Sequence, residues 1–178
     1  MKREKRIWNP NKYYHVMSRG IRNELFRNES DYQYFVDLIE FIHNKYKIEV
    51  VAYCLMKNHF HILIRTKTKS LSYVMRLLKW YYAQYFNKKY KLKGPVFETR
   101  FVSKQILDNR GLIICSRYIH FNPQKFVKDL ETYKWSSYSY YLPTCDQPPD
   151  FLSTSPVLNQ FPGTDQEKRK KYIEWCQY

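Results

Sequence analysis

The apolar and aromatic run Tyr13-Tyr14-His15-Val16-Met17-Ser18 reads as a short strand, and Arg19-Gly20 ends it. After a loop, Asn28 or Ser30 can cap a helix to about Lys45, because Tyr34, Phe35, Leu38, Ile39, Phe41 and Ile42 fall at helical spacing. Two β-rich runs, Glu49 to Met56 and His59 to Thr66, flank the pair Lys57-Asn58 and predict a hairpin. A second long helix is expected from Ser70 to Asn87, with Leu71, Val74, Leu77, Leu78, Tyr81 and Tyr85 on its apolar face. Gly94-Pro95 breaks the chain, and Val96 to Leu107 reads as a further strand. Asp108 or Asn109 can cap a third helix that runs to Phe121 or Asn122, where Pro123 stops it.

The order β-α-β-β-α-β-α predicts an α+β fold. Its expected form is a ferredoxin-like split βαβ sandwich, an antiparallel sheet with helices on one face. Prolines at 143, 148, 149, 156 and 162 punctuate the C-terminal stretch, and Asp165 to Gln177 reads as a short helix. The expected organisation is therefore a domain over 1–142 and a C-terminal helical tail over 143–178, with no internal repeat.

The length of 178 residues suits about one domain, and an aromatic share of 19% excludes wholesale disorder. No stretch approaches the roughly 20 apolar residues that span a bilayer. The start, Met1 to Arg6, is charged and is followed by no apolar signal segment, so a cytoplasmic, nucleoid-associated location and no membrane partner are expected. Cys54, Cys115, Cys145 and Cys176 form no Cys-x-x-Cys pair, and reduced structural thiols are expected.

The net charge of +15 changes the picture, because it is concentrated. Residues 1–28 carry 8 basic and 2 acidic side chains and residues 65–104 carry 11 and 1, while the other segments are nearly balanced. Clustered charge of this kind suits a surface that follows a phosphate backbone, nucleic acid ahead of a membrane surface. A generally basic soluble protein is the bland alternative.

Two features carry chemistry. His59 and His61 lie two apart in an expected strand, so both imidazoles share one face and Phe60 takes the other. Such a pair can chelate a metal, and it is also common as a simple surface pair. Tyr118 and Asn122 lie four apart on the third helix and so on one of its faces. Of the 18 tyrosines, Tyr118 alone has an Asn, Gln, Asp, Glu or His four positions on. A nucleophile and a metal-ligating amide side by side is one reading; an amphipathic filler and a helix-ending residue is the other.

The ordered motifs Met56-Lys57-Asn58-His59-Phe60-His61-Ile62-Leu63, Gly94-Pro95-Val96-Phe97-Glu98-Thr99-Arg100-Phe101, Tyr118-Ile119-His120-Phe121-Asn122-Pro123 and Trp135-Ser136-Ser137-Tyr138 resemble the single-tyrosine HUH transposases. Within these IS200-like transposases, the chain most resembles the REP-associated tyrosine transposase branch. Ser18-Arg19-Gly20 and Phe26 also fit, so the likeness spans about residues 10–142.

The resemblance implies cleavage and rejoining of single-stranded DNA at hairpin elements through a 5′-phosphotyrosine. It implies Tyr118 as nucleophile, His59 and His61 as the metal-binding pair, Asn122 as third ligand, and Mg²⁺ or Mn²⁺ as the metal. A phenol with a reference pKa of about 10 needs such positioning to attack a shielded phosphodiester. Arg19, Arg65, Lys67, Lys69, Arg76, Lys79, Lys88, Lys89, Arg100 and Lys104 become the expected DNA contacts. Trp80, Tyr81, Tyr82 and Phe97 lie among them as candidate rings for stacking unpaired bases, although Tyr81 suits the core better. Lys2, Arg3, Lys5 and Arg6 suit either a DNA-contacting arm or solvated charge.

Among the other candidates, His15 is expected on a strand beside the histidine pair, where contact from behind is one option, and His120 faces away in a structural role. His43 reads as a surface residue, and Trp135 and Tyr138 as packing residues. Two rival functions stay open: a non-cleaving hairpin-DNA-binding relative with an inactive site, and a metal-dependent hydrolase, for which only Glu98 supplies a nearby carboxylate. The DNA partner is thus expected to be single-stranded and hairpin, and the protein a monomer or homodimer.

Overall fold

A computed structural model describes residues 8–21, 23–145 and 147–177, so the N-terminal cations Lys2, Arg3, Lys5 and Arg6 lie outside the described residues. Strand β1 (Tyr14–Arg19), helix α1 (Glu29–Tyr46), strands β2 (Glu49–Met56) and β3 (His59–Arg65), helix α2 (Leu71–Tyr90), strand β4 (Val102–Gln105) and helix α3 (Asn109–His120) succeed one another in the expected order. The sheet runs β2-β3-β1-β4 and every neighbouring pair is antiparallel. Each crossover helix therefore carries the chain past one intervening strand, the split βαβ topology.

Alternation along the strands sorts the side chains into two cores. Phe60, Ile62 and Ile64 of β3 and Val16 of β1 enter a core shared with α1 and α2. Leu63 turns the other way, into a second core with Val51, Cys54 and Met56 of β2 and Leu112, Cys115 and Ile119 of α3. The expectation of helices on one face therefore holds for α1 and α2 and needs correcting for α3, which covers the opposite face. The reason is that β2 is buried on both sides and its second apolar face needs a cover. Two tail helices, α4 (Ser155–Leu158) and α5 (Asp165–Cys176), complete that cover with Val157, Leu158, Tyr172 and Cys176.

The outer edge of β2 is also occupied. Leu55 N–H donates to Trp135 O, and Val50 pairs with the segment at Phe151–Ser153, which protects the sheet against edge-to-edge association.

Two sequence expectations shift locally. The strand read over 96–107 forms a regular ladder only over Val102–Gln105; its first part makes an isolated antiparallel bridge between Phe97 and Gly20, where Ile21 N–H donates to Val96 O and Glu98 N–H to Arg19 O. The buried stripe of α2 is Leu71, Val74, Met75, Leu78, Tyr82 and Phe86, with Leu77, Tyr81 and Tyr85 only half-buried. This aromatic-rich helix carries two adjacent apolar stripes. The winning one places Tyr82 against Phe26 and Phe35 and lets its hydroxyl donate to Leu25 O at 2.5 Å. Tyr82 and Phe97 are thus core residues, and Trp80 is the ring of that group left widely exposed.

The start of α1 is fixed to the end of α2 by one buried carboxylate. Asp31 accepts from the backbone N–H of Arg27 and Asn28, from the hydroxyls of Tyr85 and Tyr90, and from Lys89 Nζ at 2.6 Å. Burial alone pushes its pKa up, but these donors outweigh that and hold it below the usual carboxylate range. A depressed folded-state pKa contributes stability above the unfolded value of about 4 and loses it as pH falls through the folded value. Asp31→Ala is expected to cost roughly 2–4 kcal/mol by stranding these donors. Chemical denaturation at pH 7 measures that loss, and melting curves from pH 5 to 2 should be flatter for Asp31→Asn than for the natural chain.

Candidate active site

The two-residue turn Lys57-Asn58 starts β3 on His59, and the β1–β3 register then sets Arg19 opposite His59 and Met17 opposite His61. His59 and His61 share one face, with ring centroids 4.9 Å apart. The same alternation on β1 puts His15 on that face, diagonal to His61, and their rings stack at 5.1 Å with His15 Nε2 2.8 Å from His61 Nδ1. The contact considered for His15 from the sequence is present.

Helix α3 lies across this face. Its start is fixed by Asp108, whose carboxylate accepts from Gly111 N–H, and its last turn delivers Tyr118 to the histidines. The Tyr118 ring stands edge-on to His61 at 5.5 Å and to His15 at 5.6 Å, and about half of the residue is open to solvent. One turn on, Asn122 donates to the Tyr118 carbonyl at 2.8 Å and lines the same cleft as Tyr118 and His59. One chain thus brings together Tyr118, His59, His61 and Asn122.

The imidazoles are held neutral. Burial, then the neighbouring imidazoles of His15 and His59, lower the His61 pKa to about 3. Burial and Arg19 lower that of His59 against an opposing bond with Asn122; burial and Lys104 lower that of His15. His59 Nδ1 lies 2.6 Å from Asn58 Oδ1, a carbonyl that can only accept, so Nδ1 carries the proton and Nε2 keeps its lone pair. Among the described residues no three His, Cys, Asp or Glu side chains form a metal-binding group.

The expected DNA contacts divide by position. Arg19 and Lys104 belong to the site: both influence its histidines, and Lys104 pairs with His15 across β1–β4. Arg76, Lys79 and Arg100 line a separate groove of about 640 Å³ beside Trp80. Arg65 sits six residues along β3 from His59, about 20 Å at strand rise, and is held by Glu49; Lys67 and Lys69 come just after it. Lys89 is committed to Asp31, and Lys88 lies near the C-terminus of α2. The structure therefore does not gather all ten cations around one site.

It does gather residues that were missed. A cleft of about 800 Å³ runs from Tyr118, His59 and Asn122 to Arg117, Lys125, Phe126 and Trp175. A second, of about 550 Å³, leaves Tyr118 on the His15 and Lys104 side. Arg117, adjacent to Tyr118, and Phe126, an aromatic in a polar stretch, were the available sequence signals. His43, read as a surface residue, bonds the Ile48 carbonyl through Nδ1 and closes the α1–β2 turn.

Residues 9–122 match the family of IS200-like transposases, and the chain belongs to that family. Its fold matches that of a solved REP-associated tyrosine transposase bound to a REP hairpin, with TM-score 0.67 and 18% identity over 88% of this chain and 96% of that one. A structure from Deinococcus radiodurans R1, provisionally described as a transposase, aligns at TM-score 0.45 and 16% identity over 64% of this chain and 92% of that one. No curated protein sequence matches significantly.

Helix α3 is fixed from behind by Ser137 and by the tail. His120, expected to face away in a structural role, is fully buried, with Tyr172 Oη 2.9 Å from Nδ1 and Ser137 Oγ 2.8 Å from Nε2, and Arg117 Nε donates to the Cys176 carbonyl at 2.7 Å. Burial drives the His120 pKa down to about 3, so it works as a neutral donor–acceptor. His120→Leu removes both side-chain bonds and is expected to cost roughly 2–4 kcal/mol, while His120→Gln keeps part of the network and loses less. Urea unfolding of the two variants checks that order.

Proposed function

We propose that this chain is a single-stranded DNA transesterase that cleaves and rejoins DNA at hairpin elements through a 5′-phosphotyrosine on Tyr118. The carrying observation is the edge-on placement of the Tyr118 ring, 5.5 Å from His61, on a surface that also holds His59 and Asn122. Membership of a transposase family, and a fold shared with a transposase bound to a REP hairpin, favour DNA as the substrate.

His59 and His61, both neutral, and the Asn122 side-chain oxygen suit Mg²⁺ or Mn²⁺ as ligands, with Mn²⁺ the better match to imidazole. When bound, the ion supplies neutralisation of the phosphate charge and stabilisation of the departing 3′-oxygen. Tyr118 Oη forms the new bond to phosphorus, the P–O3′ bond breaks, the phenolic proton passes to solvent and the leaving 3′-oxygen takes up a proton. Reversal of this exchange rejoins the strand without an external energy source, since one phosphodiester is traded for another. Arg19 and Lys104 flank the histidines and hold the strand electrostatically.

Nucleophile and ligands come from one chain, so one copy suffices for the chemistry. The working unit is the domain over 1–142, with the tail 143–178 bracing its catalytic helix, and its place of action is the cytoplasm, on nucleoid DNA.

Incubation of labelled single-stranded DNA hairpins with the protein and Mn²⁺ is expected to give a denaturation-resistant protein–DNA adduct. Tyr118→Phe should abolish it, and His59→Ala or His61→Ala should lower its yield at least about 100-fold. Tight binding without an adduct would instead favour a non-cleaving hairpin-binding module, and turnover without a covalent species a hydrolase.

His15 orients rather than reacts. In the tautomer where His61 Nδ1–H donates to His15 Nε2, His61 Nε2 is left as a ligand. His15→Leu is expected to weaken Mn²⁺ binding roughly 10- to 100-fold, with partial retention in His15→Gln, as read by titration calorimetry without DNA.

A further inference from the structure

Phe126 is the most exposed large apolar side chain among the described residues, 79% open, yet its backbone is not loose. It comes directly after the 3₁₀ turn Asn122–Lys125, and its N–H donates to the Pro123 carbonyl at 2.8 Å. A free ring is therefore held on a short turn that begins at Asn122 itself.

Its surroundings give the ring a direction. Phe126 lines the cleft of about 800 Å³ that contains Tyr118, His59, Arg117 and Lys125. It also lines a neighbouring cleft of about 430 Å³ that contains His59, Lys57 and Asn58. The ring stands between two channels that meet at His59, each with cationic side chains. Phosphates need those cations; an unpaired base needs a flat apolar face beside them. A duplex supplies no free base face, so the arrangement favours an unpaired strand.

We propose that Phe126 is a stacking platform for an unpaired nucleobase next to the scissile phosphate, with Lys125 and Lys57 holding phosphates on either side. This rests on the reading of Tyr118 as the nucleophile of a DNA strand transferase. The base stacked on Phe126 is held against rotation of the strand, so the adjoining phosphodiester is presented to Tyr118 in one orientation.

The test uses fluorescence anisotropy with two probes: a short unpaired oligonucleotide of randomised sequence, and an abasic strand with the same number of phosphates. Phe126→Ala and Phe126→Leu are expected to weaken binding of the base-bearing strand roughly 5- to 100-fold and leave the abasic strand unchanged, while Phe126→Tyr retains affinity. Lys125→Ala should weaken both strands and reduce the salt dependence. Both non-aromatic variants should melt with the natural chain, since the ring is largely solvated; the Leu variant keeps an apolar side chain should the Ala variant prove unstable.

Unchanged affinity of either folded variant for the base-bearing strand overturns the platform. So does equal affinity of the natural chain for the two probes. In both cases a Tyr118-dependent adduct on hairpin DNA would still stand, so the two proposals fail separately. Loss of the adduct with base-selective binding intact would sink the nucleophile assignment and, with it, the position given to the stacked base.

Discussion

The antiparallel register of β1 on β3 is the constraint on which the rest of the molecule depends. Strand side chains alternate with a period of two, so the pairing that puts His59, His61 and His15 on the α3 face also sends Phe60, Ile62 and Val16 into the core under α1 and α2. A slip of one residue would exchange the two sets, burying imidazoles among aromatics and exposing Phe60. The slip is opposed from both directions: Lys57-Asn58 leaves only two residues for the β2–β3 turn, and Phe60 and Ile62 are almost wholly buried. The presentation of the histidines is thus a by-product of core formation and needs no separate device.

Electrostatics stem from the same placement. Arg19 sits opposite His59 and Lys104 opposite His15, and each disfavours protonation of the imidazole beside it. A protonated imidazole has no lone pair for a cation, whereas a neutral one does. The same two charges therefore help keep the imidazoles neutral, with a lone pair free. Collecting all the basic residues at the site would not improve this, and the chain does not do so: Arg65 serves Glu49 and Lys89 serves Asp31.

The legible part of the fold was the part with strong local signals. The hairpin turn and the Asn28 and Asp108 caps are short-range features and stand where the pattern puts them, and the third helix ends at His120, just before the turn that contains Pro123. The side of the sheet taken by α3 was not legible, because a helix stripe shows that a face is buried without showing against what. The same limit applies to α2, where Tyr81 and Tyr82 are equally apolar and tertiary packing alone chose Tyr82. At the site, His59, His61, Tyr118 and Asn122 were legible from spacing and resemblance. Of the surrounding cations, Arg19 and Lys104 were among those expected and Arg117 and Lys125 were not, since charge density along a chain does not reveal which end of a strand a side chain occupies. Arg65 and Lys104 both looked adjacent to the site in sequence, and only Lys104 is beside it.

The tail then acquires a purpose that its composition hides. The family match ends at Asn122, yet the helix that presents Tyr118 is held from behind by residues beyond it: Tyr172 and Ser137 on His120, and the Cys176 carbonyl on Arg117. Arg117 and His120 bracket Tyr118 along α3, so an anchor on each leaves little freedom for the turn between them. On the proposed reading of Tyr118 as a nucleophile, such a fixed helix serves in-line attack, because misplacement of about 1 Å can cost about 100-fold in rate. Strands β1 and β3 position the histidines, and residues 137–176 position the helix that faces them.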